Sequence, residues 1–332
     1  MQIIAPESIA EEYYQINEAI LSSFPKYRPP LDLFLFKEDI AQLQRLVKKD
    51  TRITNDQIDQ IFAYCRKENL FVSRADFPIY STHIVKQPDL VLVDRNLKPG
   101  EVADITLTAL AQRLAAFYEQ PVKLAYDALH EAALVVTEYV WQDHNRLGLY
   151  MQRLFTGDHS LVRQALNAFS VGLWLFCRVS GAELHRRQFD RVAAALLIHD
   201  VGMAKVPAFI LGKTSPLKPD EKEKIPHHPM MGMKVVQKLD VMNEEIRAII
   251  MEHQERMDGS GYPHRLRKNE ISWLGRLSAT ADSFAAMIQK RPYAAAIPPE
   301  KAARVLASDI TRYDSAFTAP LASACTANNF SL

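Results

Sequence analysis

The residues most able to do chemistry in this 332-residue chain lie in one stretch, His253-Gln254-Glu255-Arg256-Met257-Asp258-Gly259-Ser260-Gly261-Tyr262-Pro263, read together with His199-Asp200 roughly fifty residues earlier. A histidine followed by a polar turn with two glycines and closed by Tyr-Pro describes a helix end that runs into a tight loop held close to something small. A metal-bound phosphate has that size and charge.

The run Arg191-Val192-Ala193-Ala194-Ala195-Leu196-Leu197-Ile198 reads as a strongly apolar helix ending in His199-Asp200, just before Gly202. A histidine and a carboxylate at such a helix end are costly to desolvate unless they pair with each other or bind a metal. An isolated His-Asp dipeptide can equally be a helix cap. Three further ligand-type residues follow in separate segments: His228 before Pro229, His253, and Asp282 in Ala279-Thr280-Ala281-Asp282-Ser283. Each lies on or beside an expected helix, so an all-α bundle could point them at one centre. His159, behind Asp158, is expected to open a helix that continues through Leu166, Phe169, Leu173 and Phe176. Taken alone it reads as a capping or surface histidine.

The elements that must position these residues are set by an ordinary globular composition, 48% apolar and 24% charged, with length enough for two domains. A formal charge of +1 supplies no global field for gathering duplex nucleic acid, so an anionic ligand must be attracted by a local site. Cys65, Cys177 and Cys325 are far apart and odd in number, which fits neither a disulfide framework nor a CxxC knuckle and favours a reducing compartment. Met1 to Tyr14 lacks the apolar core of a signal peptide. Ala165 to Cys177, the most apolar run, is too short to span a bilayer. A cytoplasmic protein without a membrane span is expected.

In chain order, residues 1–100 read as a small α/β module, with Leu33-Phe34-Leu35-Phe36 and Leu70-Phe71-Val72 as strands. Between them lies a helix capped at Thr54 or Asn55 and carrying Ile58, Ile61, Phe62 and Cys65 on one face. Lys37 to Lys49 alternates less regularly. Nothing in this module resembles a catalytic motif, and a sensory or scaffolding role is expected. Residues 101–154 read as a helical connector of two or three helices, with Leu107, Leu110, Leu114, Ala132, Val135, Val136 and Tyr139 facing a core or a dimer seam. Residues 155–332 form the third region. Its tail is expected to contain a helix from about Pro299 to Asp309, another after Tyr313-Asp314, and frayed final residues. The fold class is α+β overall, with the small module followed by an all-α bundle.

The order His159, His199-Asp200, His228-Pro229, His253, Gly261-Tyr262-Pro263, Asp282 and Arg291-Pro292-Tyr293 resembles the HD-GYP family, a branch of the HD phosphohydrolase superfamily. The resemblance covers roughly residues 155 to 325, and the joint pattern is far more specific than any one motif. It implies an all-helical HD bundle and hydrolysis of the bacterial second messenger cyclic di-GMP to pGpG, and onward to GMP, by a metal-activated hydroxide. It further implies two divalent metal ions, with Asp200 bridging them, His159, His199 and Asp282 holding one, and His228 and His253 the other. Asp200 and Tyr262 take the catalytic roles, and Arg291, Tyr262 and Gly261 meet the substrate. Imidazole and carboxylate ligands suit iron or manganese, and also zinc. Paired cations would neutralise an anionic phosphodiester and lower the pKa of water.

Several positions depart from the family pattern. Gln254 replaces the second of two adjacent histidines, and Phe155 stands where three-metal members carry a glutamate, which limits the centre to two metals. Met203 replaces the lysine of HDxGK, and Lys205 points elsewhere on a helix. Ala294 replaces a basic residue, leaving phosphate recognition to Arg291 and the metals. Glu255 and Arg256 read either as a pair behind the ligands or as a solvated charge pair. His83, His130, His144, His185 and His264 lie outside the pattern. The readings that remain open are a phosphodiesterase of cyclic di-GMP, one of another cyclic dinucleotide such as cyclic GMP-AMP, and a degenerate cyclic dinucleotide receptor. A homodimer or a signalling-protein partner is compatible with each.

Overall fold

The computed structural model describes residues 7–181, 184–211, 213, 215, 218–291 and 294–332. The chain divides into two compact units, Met1–Ala109 and Leu110–Leu332. The division falls inside one helix, Pro99–Glu119.

The first unit is built on a four-stranded antiparallel sheet of order β1-β4-β2-β3, with β1 Tyr13–Gln15, β2 Leu33–Lys37, β3 Gln42–Val47 and β4 Leu70–Ser73. The two central strands are the two apolar runs expected from the sequence. The edge strands are less legible. β3 spans part of the irregular stretch Lys37 to Lys49 and is exposed over most of its length, and β1 is only three residues long. Three residues are too few to show a period of two, and a strand exposed on both faces has no buried side to mark with apolar residues. The helix Asn55–Arg66 starts at Thr54 with a full capping box to Gln57, and buries Ile58, Ile61 and Cys65. Tyr14 is fully buried, stacked on Tyr80 with centroids 4.7 Å apart, and its hydroxyl donates to Glu101 Oε1 at 2.6 Å.

The second unit is helical. In its helix Leu161–Ser180 every residue from Gln164 to Cys177 is buried, the mark of a helix surrounded by others. Against it lie Arg186–Ile198 and Trp273–Met287. All seven connector positions expected to face a core are buried, those from Leu110 onward within this unit. The tail forms Pro299–Ser308 and Ser315–Ala327. The final residues are not frayed as expected. Phe330 is buried, its ring lies edge-on to Trp174, and its carbonyl accepts the Trp174 indole N–H at 2.8 Å. An indole donor buried in the bundle needs such an acceptor, which holds the terminus down. Among the described residues no helix is long and apolar enough to cross a membrane.

Candidate metal centre

Four elements converge on one point. The helix Arg186–Ile198 buries Phe189 and Val192 through Ile198, so its C-terminal end carries His199 and Asp200 into the interior. A short 3-10 turn, Val201–Lys205, follows directly. The helix His228–Lys238 begins at His228 itself, with Pro229 in its first turn, where a missing N–H costs nothing. The helix Glu244–Glu252 is capped by the Asn243 side chain, which accepts from Ile246 N at 2.8 Å, and it ends at His253. The helix Trp273–Met287 is capped by Ser272 and carries Asp282 within a fully buried run from Leu277 to Ala285.

Backbone carbonyls orient the imidazoles. His199 Nδ1 lies 2.7 Å from Leu196 O, His228 Nδ1 2.9 Å from Ile225 O, and His253 Nδ1 2.9 Å from Ile250 O. A carbonyl only accepts, so each Nδ1 carries a proton and each ring turns its Nε2 inward. His228 Nε2 and His253 Nε2 are 2.9 Å apart, and they lie 3.2 and 3.4 Å from Asp200 Oδ1. His199 Nε2 is 3.3 Å from Asp282 Oδ1 and 3.7 Å from Asp200 Oδ2. Two nitrogen lone pairs at 2.9 Å repel unless a proton or a cation stands between them. The donor set therefore fits a metal, and ligand atoms of His199, Asp200 and His253 all lie within 4.8 Å of one another.

The fields are strong because all these groups are buried. Burial alone would lower His199, but the charges of Asp200 and Asp282 outweigh it and raise the imidazole to about 9. Burial opposes ionisation of Asp200, yet His199, His253 and His228 hold it far below the ordinary carboxylate range. Burial takes His228 down to about 4, against the pull of Asp200 and helped by His253. The centre thus combines anionic carboxylates with at least one imidazole free to act as a Lewis base.

A cavity of about 500 Å³ opens over this point, large enough for a nucleotide-sized ligand. Arg291, Tyr262, Met203 and Lys213 line it. Tyr262 packs edge-on to the His228 ring at 6.0 Å, and burial with the nearby Asp200 and Asp282 charges pushes its pKa up, so its hydroxyl stays a donor. Gly261 is where the loop backbone crosses itself: a Cβ there would lie 2.4 Å from Arg256 N and Glu255 Cα. Pro292 and Tyr293 lie outside the described residues.

His159 is placed differently from the other candidates. It precedes the helix Leu161–Ser180, whose N-cap is Ser160 rather than Asp158. Its Nε2 meets Gln164 Oε1 at 2.9 Å, and the charges of Asp200 and Asp282 reach it across the same cavity. Gln164, which the sequence reading did not single out, donates instead to Asp282 Oδ1 at 2.5 Å and accepts from Arg291 Nη2 at 2.8 Å. A glutamine in an apolar helix is a weak signal, though a buried polar residue three positions before Asn167 could have been marked as needing partners. Gln254 Nε2 donates to Asp282 Oδ2 at 2.9 Å. Phe155 is pinned through its backbone to the Asn167 side chain, 2.8 and 2.9 Å.

Glu255 and Arg256 are not a solvated pair. Glu255 is fully buried and accepts from the backbone N–H groups of His264, Arg265 and Leu266 at 2.7, 3.1 and 3.0 Å. Arg256 donates to the carbonyls of His253 and Glu255 and to Ser283 Oγ. Both brace the loop that leaves His253.

Comparison with known proteins agrees with this architecture. The family described as HD domain matches residues 167–317, a segment that begins after His159 and includes every other candidate ligand. A cyclic di-GMP phosphodiesterase of Thermotoga maritima is 38% identical over 112 residues, 33% of this chain and 30% of its own length. The cyclic di-GMP phosphodiesterase PA4108 of Pseudomonas aeruginosa is 26% identical over 255 residues, 76% of this chain and 60% of its own. A 3′3′-cGAMP-specific phosphodiesterase 3 of Vibrio cholerae is 34% identical over 116 residues, 35% of this chain and 25% of its own. The chain thus spans between a quarter and three fifths of these relatives. In fold it is similar to Bd1817, an HDG"Y"P protein from Bdellovibrio bacteriovorus, with a TM-score of 0.61 at 15% identity over 95% of this chain and 99% of that one. Residues 167–317 thus match the HD domain family, and the relatives they resemble are phosphodiesterases of cyclic di-GMP or 3′3′-cGAMP.

Proposed function

We propose that the chain is a metal-dependent phosphodiesterase that hydrolyses cyclic di-GMP to pGpG and then GMP. The observation that carries this reading is the convergence of three inward imidazole Nε2 atoms and the Asp200 carboxylate beneath a nucleotide-sized cavity. Asp200, His228, His253 and His199 would hold metal, with Asp282 behind His199, and iron or manganese matches the mixed imidazole and carboxylate donors, with zinc as a further candidate. A bound divalent ion neutralises phosphodiester charge and acidifies water. His159 contributes through Gln164.

The chain's own groups account for the rest. Arg291 pairs with a phosphate oxygen, and the Tyr262 hydroxyl donates to a second polar atom of the ligand. Gly261 keeps the loop backbone low enough to admit it, and Asp200 remains anionic through its histidine neighbours. The water oxygen adds to phosphorus while the bond to the ribose 3′ oxygen breaks, and that oxygen leaves with the proton that the water gives up.

A second reading has its own support. Met203 lines the cavity where family members carry a lysine, and two glutamines occupy the carboxylate oxygens of Asp282, features suited to a nucleotide receptor. The similarity to 3′3′-cGAMP-specific enzymes also favours a test of that dinucleotide. Anaerobic incubation with iron or manganese and each cyclic dinucleotide, followed by chromatography, separates these readings. Appearance of pGpG or GMP that disappears in Asp200→Ala supports the enzyme. Undiminished metal-dependent turnover in that variant refutes the assigned mechanism, and tight binding without product indicates the receptor.

A further inference from the structure

Asp282 is already heavily engaged. Gln164 Nε2 donates to its Oδ1 at 2.5 Å and Gln254 Nε2 to its Oδ2 at 2.9 Å. The Gln164 amide is locked from its other end, because Oε1 faces both the Arg291 guanidinium at 2.8 Å and His159 Nε2 at 2.9 Å. A guanidinium only donates, so the amide oxygen faces Arg291, the amide nitrogen faces Asp282, and His159 spends its Nε2 proton on Gln164. Apart from His199, the side chains gathered around Asp282 therefore present N–H groups rather than lone pairs. Around Asp200 the situation is reversed: His228 and His253, whose Nδ1 protons are spent on backbone carbonyls, both turn Nε2 to within 3.4 Å of Oδ1.

Charge points the same way. Among the described residues lining the cavity, Asp200 and Asp282 are the only carboxylates, while Lys213, Arg256 and Arg291 line it as well. Lys213 is matched by Glu221 at 2.5 Å. One divalent cation neutralises the two carboxylates. A second would stand beside fixed guanidinium groups with no further anion to answer it, in a site where screening by water is poor.

Resting on the metal-centre reading above, we infer that the centre holds a single divalent ion, on Asp200, His228 and His253 with His199 beside it, and that Gln164 and Gln254 close the second position by capping Asp282. The full chain would be loaded anaerobically with excess Mn²⁺, desalted, and examined by elemental analysis and electron paramagnetic resonance. The expected result is one ion per chain with the spectrum of an isolated Mn²⁺. Replacing the caps with imidazoles, Gln164→His with Gln254→His, is expected to raise the ratio toward two and to produce a spin-coupled spectrum. Two retained ions with a coupled spectrum in the unsubstituted chain would overturn the single-ion inference and leave the phosphodiesterase reading standing. No retained ion in a chain folded by circular dichroism would overturn both. A folded double variant that still holds one ion would refute the role given to the glutamines, and Gln254→Glu, which brings a carboxylate to the same place, tests that role if the double variant does not fold.

Discussion

Gly202 lies directly against the backbone of His228: a Cβ on Gly202 would stand 1.9 Å from the His228 carbonyl oxygen and 2.7 Å from Gly232 N. The turn that follows Asp200 is thereby seated on the first turn of the helix that begins at His228, and two ligand-bearing segments are held in register by the absence of a side chain. Because the obstacle is backbone, it cannot swing aside. Gly202→Ala is expected to cost about 3 kcal/mol or more, at the upper end of overpacking effects, and to weaken metal retention as His228 is displaced. Thermal melting with metal analysis checks both, and an unshifted melting temperature would refute the seating.

Glu255 is the anchor of the loop that carries Gly261 and Tyr262. Its carboxylate takes three backbone N–H groups in an otherwise water-poor position. Glu255→Ala leaves those donors without an acceptor, at about 1–3 kcal/mol for each one that water cannot reach. Faster amide hydrogen exchange at His264, Arg265 and Leu266 and a lower melting temperature are expected. Unchanged exchange there would mean that the loop is held by something else.

Arg291 tests the substrate face. On the proposed reading its guanidinium pairs with phosphate, a charge-assisted contact of about 1.5–3 kcal/mol. Arg291→Ala should therefore raise KM about tenfold to a hundredfold. A further loss in kcat is expected only if Gln164, which also loses its donor, shifts against Asp282. Unchanged KM with lowered kcat would assign Arg291 to positioning rather than binding.

The first unit carries a pH dependence of its own. Burial, with Lys86 nearby, lowers the pKa of His83, whose ring lies edge-on to Phe24 and whose Nδ1 is buried without a hydrogen-bond partner among the described residues. Between the lowered value and the ordinary 6.5 the unfolded chain binds a proton that the native state refuses. The stability contribution is therefore complete above pH 6.5 and is lost as the pH falls below it. Hydrogen exchange of the sheet amides measured from pH 7 to pH 5 should show falling protection, and His83→Phe should flatten the slope. An equal slope in the variant would place the titrating group elsewhere.

Much of the site could be read from residue types and spacing because helices impose simple rules. An apolar run that ends in His199-Asp200 must bury its end, and His228, His253 and Asp282 fall on or beside further helices that the same core requires. The capped helix at Thr54 and the central strands were legible for the same local reason. The edge strands β1 and β3 were not, since β1 is only three residues long and β3 is exposed on both faces over most of its length. Nor was the docked C-terminus, because the acceptor that Trp174 needs lies 156 positions away along the chain.

What the sequence by itself determined is the donor inventory: which imidazoles and carboxylates are present, in what order, and that the helices bearing them must turn one face inward. Only the tertiary structure decided which atoms meet. It aimed each Nε2 inward by giving each Nδ1 a backbone carbonyl, placed Gln164 rather than His159 against Asp282, and set Gly202 beneath His228. Helical periodicity specifies a direction within one element, but contact between atoms on different elements depends on how those elements pack, and that is settled by side chains far apart in the chain.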